Sequence, residues 1–353
     1  MKKITLLAAT FFAFSTSMKA QDGFEQALLG TTQDAGKLVQ GYFNPGIEGL
    51  INSMNNGWYH TAKVHKKFGF DLSIALNGAF IPSSKETFNI QETLGPNSSI
   101  TSNSTIASTF AGPDTPTTFT VTRQLNVPGA GTQTVTANFE LPGGITDDLP
   151  IKAVPAPAVQ LTLGLPFKME VMGRFFPETK IGDDGGKISM YGIGLKKEIT
   201  SWFGPLDKTP LHVSLLAAYT SLDLSYGLGS TTSGALQVQD GAAEFGLSAF
   251  TIQAIASLNF PIINFYGGVG FNTGSADLKM TGNYTGTYQY TPAGGGTSIP
   301  VTENLSPPSL SFNSSGLKAT IGTRLSLGFF KIFADYSLQE YNTVNAGIAF
   351  SFR

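Results

Sequence analysis

The chain ends Val344-Asn345-Ala346-Gly347-Ile348-Ala349-Phe350-Ser351-Phe352-Arg353. Val344, Ala346, Ile348, Phe350 and Phe352 share one parity, and Asn345, Gly347, Ala349 and Ser351 share the other. A period of two puts the two sets on opposite faces of a strand. The apolar face closes on two aromatics spaced two apart. The same period recurs upstream. Phe68, Phe70, Leu72, Ile74, Leu76 and Phe80 oppose Gly69, Asp71, Ser73, Ala75 and Asn77. Leu211 to Tyr219, Ile252 to Phe260, Ile263 to Phe271, and the stretches 321–329 and 332–338 alternate likewise. Connections near 166, 204, 261 and 330 are short, whereas those at 83–155, 225–241 and 281–308 are long and rich in Ser, Thr, Gly and Pro. With the loop at Asp183-Asp184-Gly185-Gly186 counted between 166 and 204, the two kinds of connection take turns along the chain, as they do when antiparallel strands turn at two unlike ends.

Only 13% of residues are charged, about half the usual share of a soluble domain. With 41 Gly and 27 Phe, this composition suits strands that are apolar outside and polar inside. The terminal pattern resembles the closing-strand signal of bacterial outer-membrane β-barrels: a polar residue, a glycine two on, then two spaced aromatics. Asn345, Gly347, Phe350 and Phe352 occupy those positions, with Arg353 one residue past the usual aromatic end. The resemblance implies a transmembrane antiparallel β-barrel in outer-membrane lipid, its last strand captured by the barrel-assembly machinery through backbone pairing. The expected fold is all-β, with 10–14 strands over residues 57–353, long extracellular inserts at about 83–155 and 281–308, and short turns facing the periplasm.

Residues 1–20 read as a secretory signal, with Lys2 and Lys3 before an apolar run, cleaved after Ala20. Residues 21–56 alone carry a helical period. Ala35, Leu38, Val39 and Tyr42 form one run, and Ile47, Leu50, Ile51 and Met54 a second. Asn44 as N-cap and Pro45 at the first helical position would start the second helix. Two short helices ahead of a barrel fit a plug in the lumen, a cover on the periplasmic rim, or a loose leader. Trp58–Lys66 is a candidate partner strand.

The segment Gly41-Tyr42-Phe43-Asn44-Pro45-Gly46-Ile47-Glu48-Gly49-Leu50 resembles the Asn-Pro-Ala hatch of the long-chain fatty-acid transporter family. Asn44 and Pro45 match, and Gly46 replaces the alanine. That resemblance implies fourteen strands, an N-terminal plug, and passage of hydrophobic molecules through the lumen or sideways into the membrane. Leu50, Ile51 and Met54 would line the path. Asp71, Arg324 and Asp335 are expected as lumen charges, pairing with one another or with Glu25, Asp34, Lys37 and Glu48 of the plug.

The net charge of −2 and the scattered lysines give no nucleic-acid footprint. The lack of cysteine excludes disulfides, thiol chemistry and a lipoprotein anchor. His60, His65 and His212 form no catalytic constellation in the sequence, and Asp183-Asp184-Gly185-Gly186 lacks calcium-loop spacing. No metal, cofactor or enzymatic activity is expected. Three functions remain: a plugged channel for small hydrophobic or amphiphilic molecules, a general porin, or a non-transporting barrel whose loops bind a partner.

Overall fold

The computed structural model describes residues 24–145, 152–181 and 186–352. The signal segment expected at 1–20 and the Asp183-Asp184-Gly185 turn lie outside them. Ten strands form the wall: β1 Phe70–Phe80, β2 Ala153–Leu165, β3 Met169–Ile181, β4 Gly186–Glu198, β5 Leu211–Ser233, β6 Leu236–Asn259, β7 Ile263–Tyr290, β8 Leu310–Leu327, β9 Phe330–Leu338 and β10 Thr343–Phe352. Each pairs antiparallel with its neighbour in this series. β10 returns to β1 with Phe352 opposite Phe70 and Asn345 opposite Asn77. The ring is closed, so every one of the ten strands has a partner on both sides. Ten is even, as such barrels require, but it is not the fourteen that the fatty-acid transporter resemblance implied.

The outward faces expose Leu72, Leu161, Ile193, Ile252, Val269, Leu317 and Ile321. An apolar surface of this extent is stable only against lipid. Among the described residues no helix is long and apolar enough to cross a membrane. The strands do the crossing.

β5, β6 and β7 are 23, 24 and 28 residues long, far more than the roughly 9–11 that cross a bilayer. The loops expected at 225–241 and within 281–308 are largely strand instead. Beyond the lipid there is no need for an apolar outer face, so the period fades from the sequence while the hydrogen-bond ladder continues. The inner face stays apolar there, with Leu236, Val238, Tyr284 and Tyr288 buried. Ile299–Leu305 pairs with β7. The hairpin Thr117–Val127 with Gly131–Leu141 joins β7 through Thr136 opposite Gln289.

The N-terminal region departs from its reading in two ways. One helix, α1 Thr32–Met54, replaces the two short ones. Its N-cap is Thr31, whose side chain accepts from the Asp34 amide at 3.1 Å. Pro45 lies inside the helix, where it removes one backbone donor. The donor it removes is the one for the Gly41 carbonyl, and in the same turn the Tyr42 carbonyl accepts from the Phe110 amide at 2.8 Å. Asn44 caps nothing and donates to Glu48 Oε1 at 2.7 Å. Second, residues 58–66 are not a strand, and the barrel starts at Phe70 rather than 57. Residues 58–62 are buried on every side, and their carbonyls are taken by wall side chains. Gln160 donates to Trp58, Lys196 to Thr61 and Ser214 to Ala62.

Candidate functional site

The lumen has two layers. In the long-loop half, one face of α1 (Leu38, Val39, Tyr42, Ile47, Ile51, Met54) packs with Phe119, Phe139, Leu222, Leu247, Tyr288 and Phe312 in one apolar core. Tyr42 donates to the Gly143 carbonyl at 2.9 Å, and Tyr288 to that of Leu29 at 2.6 Å. Of the residues expected on a substrate path, Pro45, Gly46, Ile51 and Met54 are buried, and Asn44 and Leu50 are half-buried. A Cβ on Gly46 would stand 3.0 Å from the Phe110 ring, which explains glycine where the hatch motif has alanine. Glu48 meets Tyr341 at 2.5 Å and Lys85 at 3.4 Å, and Lys85 also reaches Glu340 at 3.1 Å.

The C-terminal end of α1 meets two wall cations. Arg174 of β3 donates to the Met54 carbonyl at 3.2 Å, to the Asn56 carbonyl at 2.9 Å, and to Gln160 Oε1 at 3.0 Å. Lys318 of β8 donates to the Asn55 carbonyl at 3.3 Å and to Asn56 Oδ1 at 2.6 Å. A helix leaves its last carbonyls without intrahelical partners and carries partial negative charge there. Arg174 and Lys318 answer both needs. The Arg174 guanidinium also lies 3.8 Å from the centre of the Trp58 ring. That ring rests on Gly192 and Gly194, where a Cβ would stand 3.1 Å from it. The chain leaves α1 through Gly57 at φ +69°, where a Cβ would collide with Asn77 Oδ1 at 2.4 Å.

Below this clamp the lumen is polar. Asp71, Arg324 and Asp335 face it, but their partners are not those expected from the helix. Arg324 donates to His60 Nδ1 at 3.0 Å, and His60 Nε2 lies 3.5 Å from Asp71. Asp335 accepts from Tyr266 at 2.9 Å and from Asn345 at 2.6 Å. The helix charges go elsewhere, Asp34 to Ser99 and Lys37 to the Leu94 carbonyl. On β10, Asn345 is buried and Gly347 lets Phe333 approach, since a Cβ there would lie 2.6 Å from that ring. Phe350 and Phe352 turn outward onto Phe330 and Phe70, with ring centres 5.5 and 5.0 Å apart.

One grouping was invisible in the sequence. His65 Nδ1 lies 2.6 Å from Glu170 and its Nε2 lies 3.0 Å from Ser351 Oγ. This is the connectivity of a serine–histidine–carboxylate relay. Glu170 also holds Lys196 at 2.5 Å. The sequence places His65 beside a turn, far from both partners. The residues meet because 58–66 fold back inside the ring.

The wall itself has a break. β2 pairs with β1 along its whole length, from Phe70–Leu163 to Phe80–Ala153. Its other edge pairs with β3 only from Leu165–Met169 to Gln160–Arg174. Above that point Ala153–Val159 and Phe175–Ile181 part. Pro155 and Pro157 lie on one side and Pro177 on the other, each lacking the N–H that would be costly to leave unpaired in lipid. β3 also slips register against β4 between Phe176 and Thr179. A cavity of about 20 Å³ sits at the seam, lined by Pro157, Val159, Phe175, Phe176, Met190 and Leu222. Phe175 is 70% exposed on the lipid side, while Leu222 belongs to the inner core. Helix α1 packs beside the seam, since a Cβ on Gly49 would lie 3.4 Å from the Val154 Cβ.

A closed ten-stranded ring with a lipid-facing band defines a bacterial outer-membrane β-barrel, here with a helix in its lumen. The chain belongs to a family described as a family of unknown function, DUF6588, which matches residues 1–352. No curated protein matches it. Among solved structures it is similar to Ail, the attachment invasion locus protein of Yersinia pestis, at 8% identity, covering 81% of this chain and 99% of that one with a TM-score of 0.26. The toluene transporter TbuX of Ralstonia pickettii gives 13% identity, 91% and 94% coverage and a TM-score of 0.21. The outer-membrane protease OmpT of Escherichia coli gives 6% identity, 80% and 95% coverage and a TM-score of 0.26. OmpT overturns the expectation that a barrel of this kind is no enzyme. At 6% identity it carries no activity over to this chain.

Proposed function

We propose that this barrel passes small hydrophobic or amphiphilic molecules between the cell exterior and the outer membrane by way of the β2–β3 seam. The observation that carries this reading is the broken ladder between Val159 and Phe175, with a small apolar cavity at the break that is lined both by lipid-facing Phe175 and by Leu222 of the inner core. A polar solute gains nothing from such a route, because its walls are Pro157, Val159, Phe175, Phe176, Met190 and Leu222. The polar layer below the clamp blocks the straight path. TbuX, by its name a toluene transporter, is a barrel of similar coverage.

The seam is shut in this structure, as a 20 Å³ cavity holds little more than one water. Passage therefore requires α1 to move. Its lower end is fixed to the wall by buried hydrogen bonds, and its upper part by apolar packing together with hydrogen bonds to Ser99, Leu94 and Gly143 of the long-loop segments, so those segments move with it.

Val159 and Phe175 are next in register to the Gln160–Arg174 pair, so cysteines at both positions test the seam in a chain otherwise free of cysteine. Oxidised V159C/F175C in proteoliposomes should stop uptake of a fluorescent fatty-acid analogue, and reduction should restore it. Uptake that ignores the crosslink would refute the lateral route.

The ordered mass outside the membrane favours a second reading, surface recognition. The extended β5–β7 and the 117–141 hairpin present polar side chains well beyond the lipid.

A further inference from the structure

We propose that Ser351, His65 and Glu170 form a nucleophilic site that cleaves water-soluble carboxylic esters entering through the short-turn mouth of the barrel. The site stands apart from the β2–β3 seam, and neither reading depends on the other. Three elements supply it. β10 gives Ser351, the re-entrant segment 58–66 gives His65, and β3 gives Glu170.

The hydrogen bonds set the direction of proton transfer. Glu170 is fully buried, with Lys196 Nζ 2.5 Å from Oε2 and the His65 amide donating to Oε1 at 2.5 Å. Surrounded by donors, this carboxylate acts as an acceptor, so the His65 ring donates to it from Nδ1 at 2.6 Å. The neutral ring then carries its lone pair on Nε2, 3.0 Å from Ser351 Oγ, and the serine hydroxyl is the donor of that bond. A serine whose proton points at a histidine base is an activated nucleophile. Ser73 and Ser214 of the same polar layer are spent differently, donating to the carbonyls of Gln160 and Ala62.

Each member is held in place. The Phe68 amide donates to the Gly164 carbonyl at 2.8 Å, the Gly164 amide to that of Gly69 at 2.7 Å, and the Gly69 amide to that of Lys66 at 2.8 Å. These bonds pin the chain after His65 to β2. A Cβ on Gly164 would stand 3.0 Å from the His65 Cβ, so glycine there lets the histidine lie against the wall. Ser351 sits between Phe350 and Phe352, whose rings turn outward onto Phe330 and Phe70, and its amide donates to the Phe329 carbonyl at 2.8 Å. A catalytic group needs this kind of support.

Placement names the substrate. Ser351 shares the inward parity of Asn345 and Ala349, so its hydroxyl faces the lumen and not the lipid. Ser351 and His65 are half-buried, and Lys63 and Lys66 beside them are exposed, so water reaches the pair from the short-turn mouth. Ser351 Oγ bonds to the ester carbonyl carbon as its proton passes to His65 Nε2. The carbon–oxygen bond to the alcohol breaks, and the alcohol leaves with that proton. Water then attacks the acyl-serine, His65 takes its proton and returns it to Oγ, and the acid is released.

The test exposes the full-length barrel in detergent micelles to a fluorophosphonate probe, which bonds to activated serines, and locates the adduct by peptide mass spectrometry. One equivalent on Ser351 is expected, with turnover of p-nitrophenyl butyrate that is lost in S351A. H65Q should lower kcat by about 10²–10⁴-fold. Glu170 acts through the ring as a positioning residue, so E170Q should lower kcat and leave KM nearly unchanged. Heat-modifiable migration checks that each variant is a folded barrel. A folded wild-type barrel that takes up no probe would overturn the proposal without recourse to any variant. So would turnover that survives in S351A or H65Q, or a folded E170Q barrel as active as wild type. Hydrolysis of phosphatidylethanolamine in vesicles with the butyrate ester untouched would also overturn it, by placing the reactive serine on the lipid side.

Discussion

Arg174 and Lys318 decide whether the lumen is closed, because they tie the end of α1 to opposite walls. Removing Arg174 orphans the Met54 and Asn56 carbonyls and takes the cation from the face of Trp58. Hydrogen bonds to a charged donor contribute about 1.5–3 kcal/mol each. Arg174→Met should therefore cost about 3 kcal/mol of stability, read as a lower temperature for loss of heat-modifiable migration. Gly194→Val should displace Trp58 and cost about 1–3 kcal/mol, and an unchanged melting temperature would contradict the seat assigned to that ring. Neither cation was legible in the sequence. Lys318 lay outside the stretch read as strand, which began at 321, and Arg174 was not assigned a face. Asp71, Arg324 and Asp335 were legible because alternation placed them inward. Their partners were not, because His60 reaches Asp71 and Arg324 only after residues 58–66 fold inside.

At the scale of the element, α1 carries its own pH response. Burial raises the Asp34 carboxyl pKa, but hydrogen bonds from the Ser99 hydroxyl and amide outweigh it and hold the group below its ordinary value. A depressed carboxyl stabilises the fold above its unfolded-state pKa, and this contribution fades as pH falls through the folded-state value. Acid should thus loosen the first turn of α1 before the barrel melts. Hydrogen-exchange protection factors at residues 32–36, smaller at low pH in wild type and already small in Asp34→Asn, would show it. Protection factors that do not change with pH would sink the claim. Helical spacing was plain in the sequence, but the joint at Asn44-Pro45 misled. The usual start signal is overridden because both apolar runs, Leu38 to Tyr42 and Ile47 to Met54, pack in one core, which carries the helix on through Pro45.

For the whole molecule, alternation and the order of short and long turns disclosed a barrel, since lipid imposes a strict period on every crossing strand. The same rule explains what stayed hidden. Above the lipid the outer face is free to be polar, so the extensions of β5–β7 read as loops. The seam was hidden because missing strand pairing leaves no pattern beyond three prolines. Gly49 and Val154 offer a lock at this scale, as their Cβ positions would lie 3.4 Å apart, close to disulfide spacing. Oxidised G49C/V154C should bind a fluorescent fatty-acid analogue several-fold more weakly than the reduced form. Equal binding would show that α1 need not move.

Everything above depends on the lumen being closed by its own N-terminal segment. Single-channel conductance in a planar bilayer tests that directly, comparing the intact protein with one lacking residues 24–54. A silent intact barrel and a conducting truncated one are expected. Steady conductance through the intact protein would contradict a sealed lumen and leave an open porin.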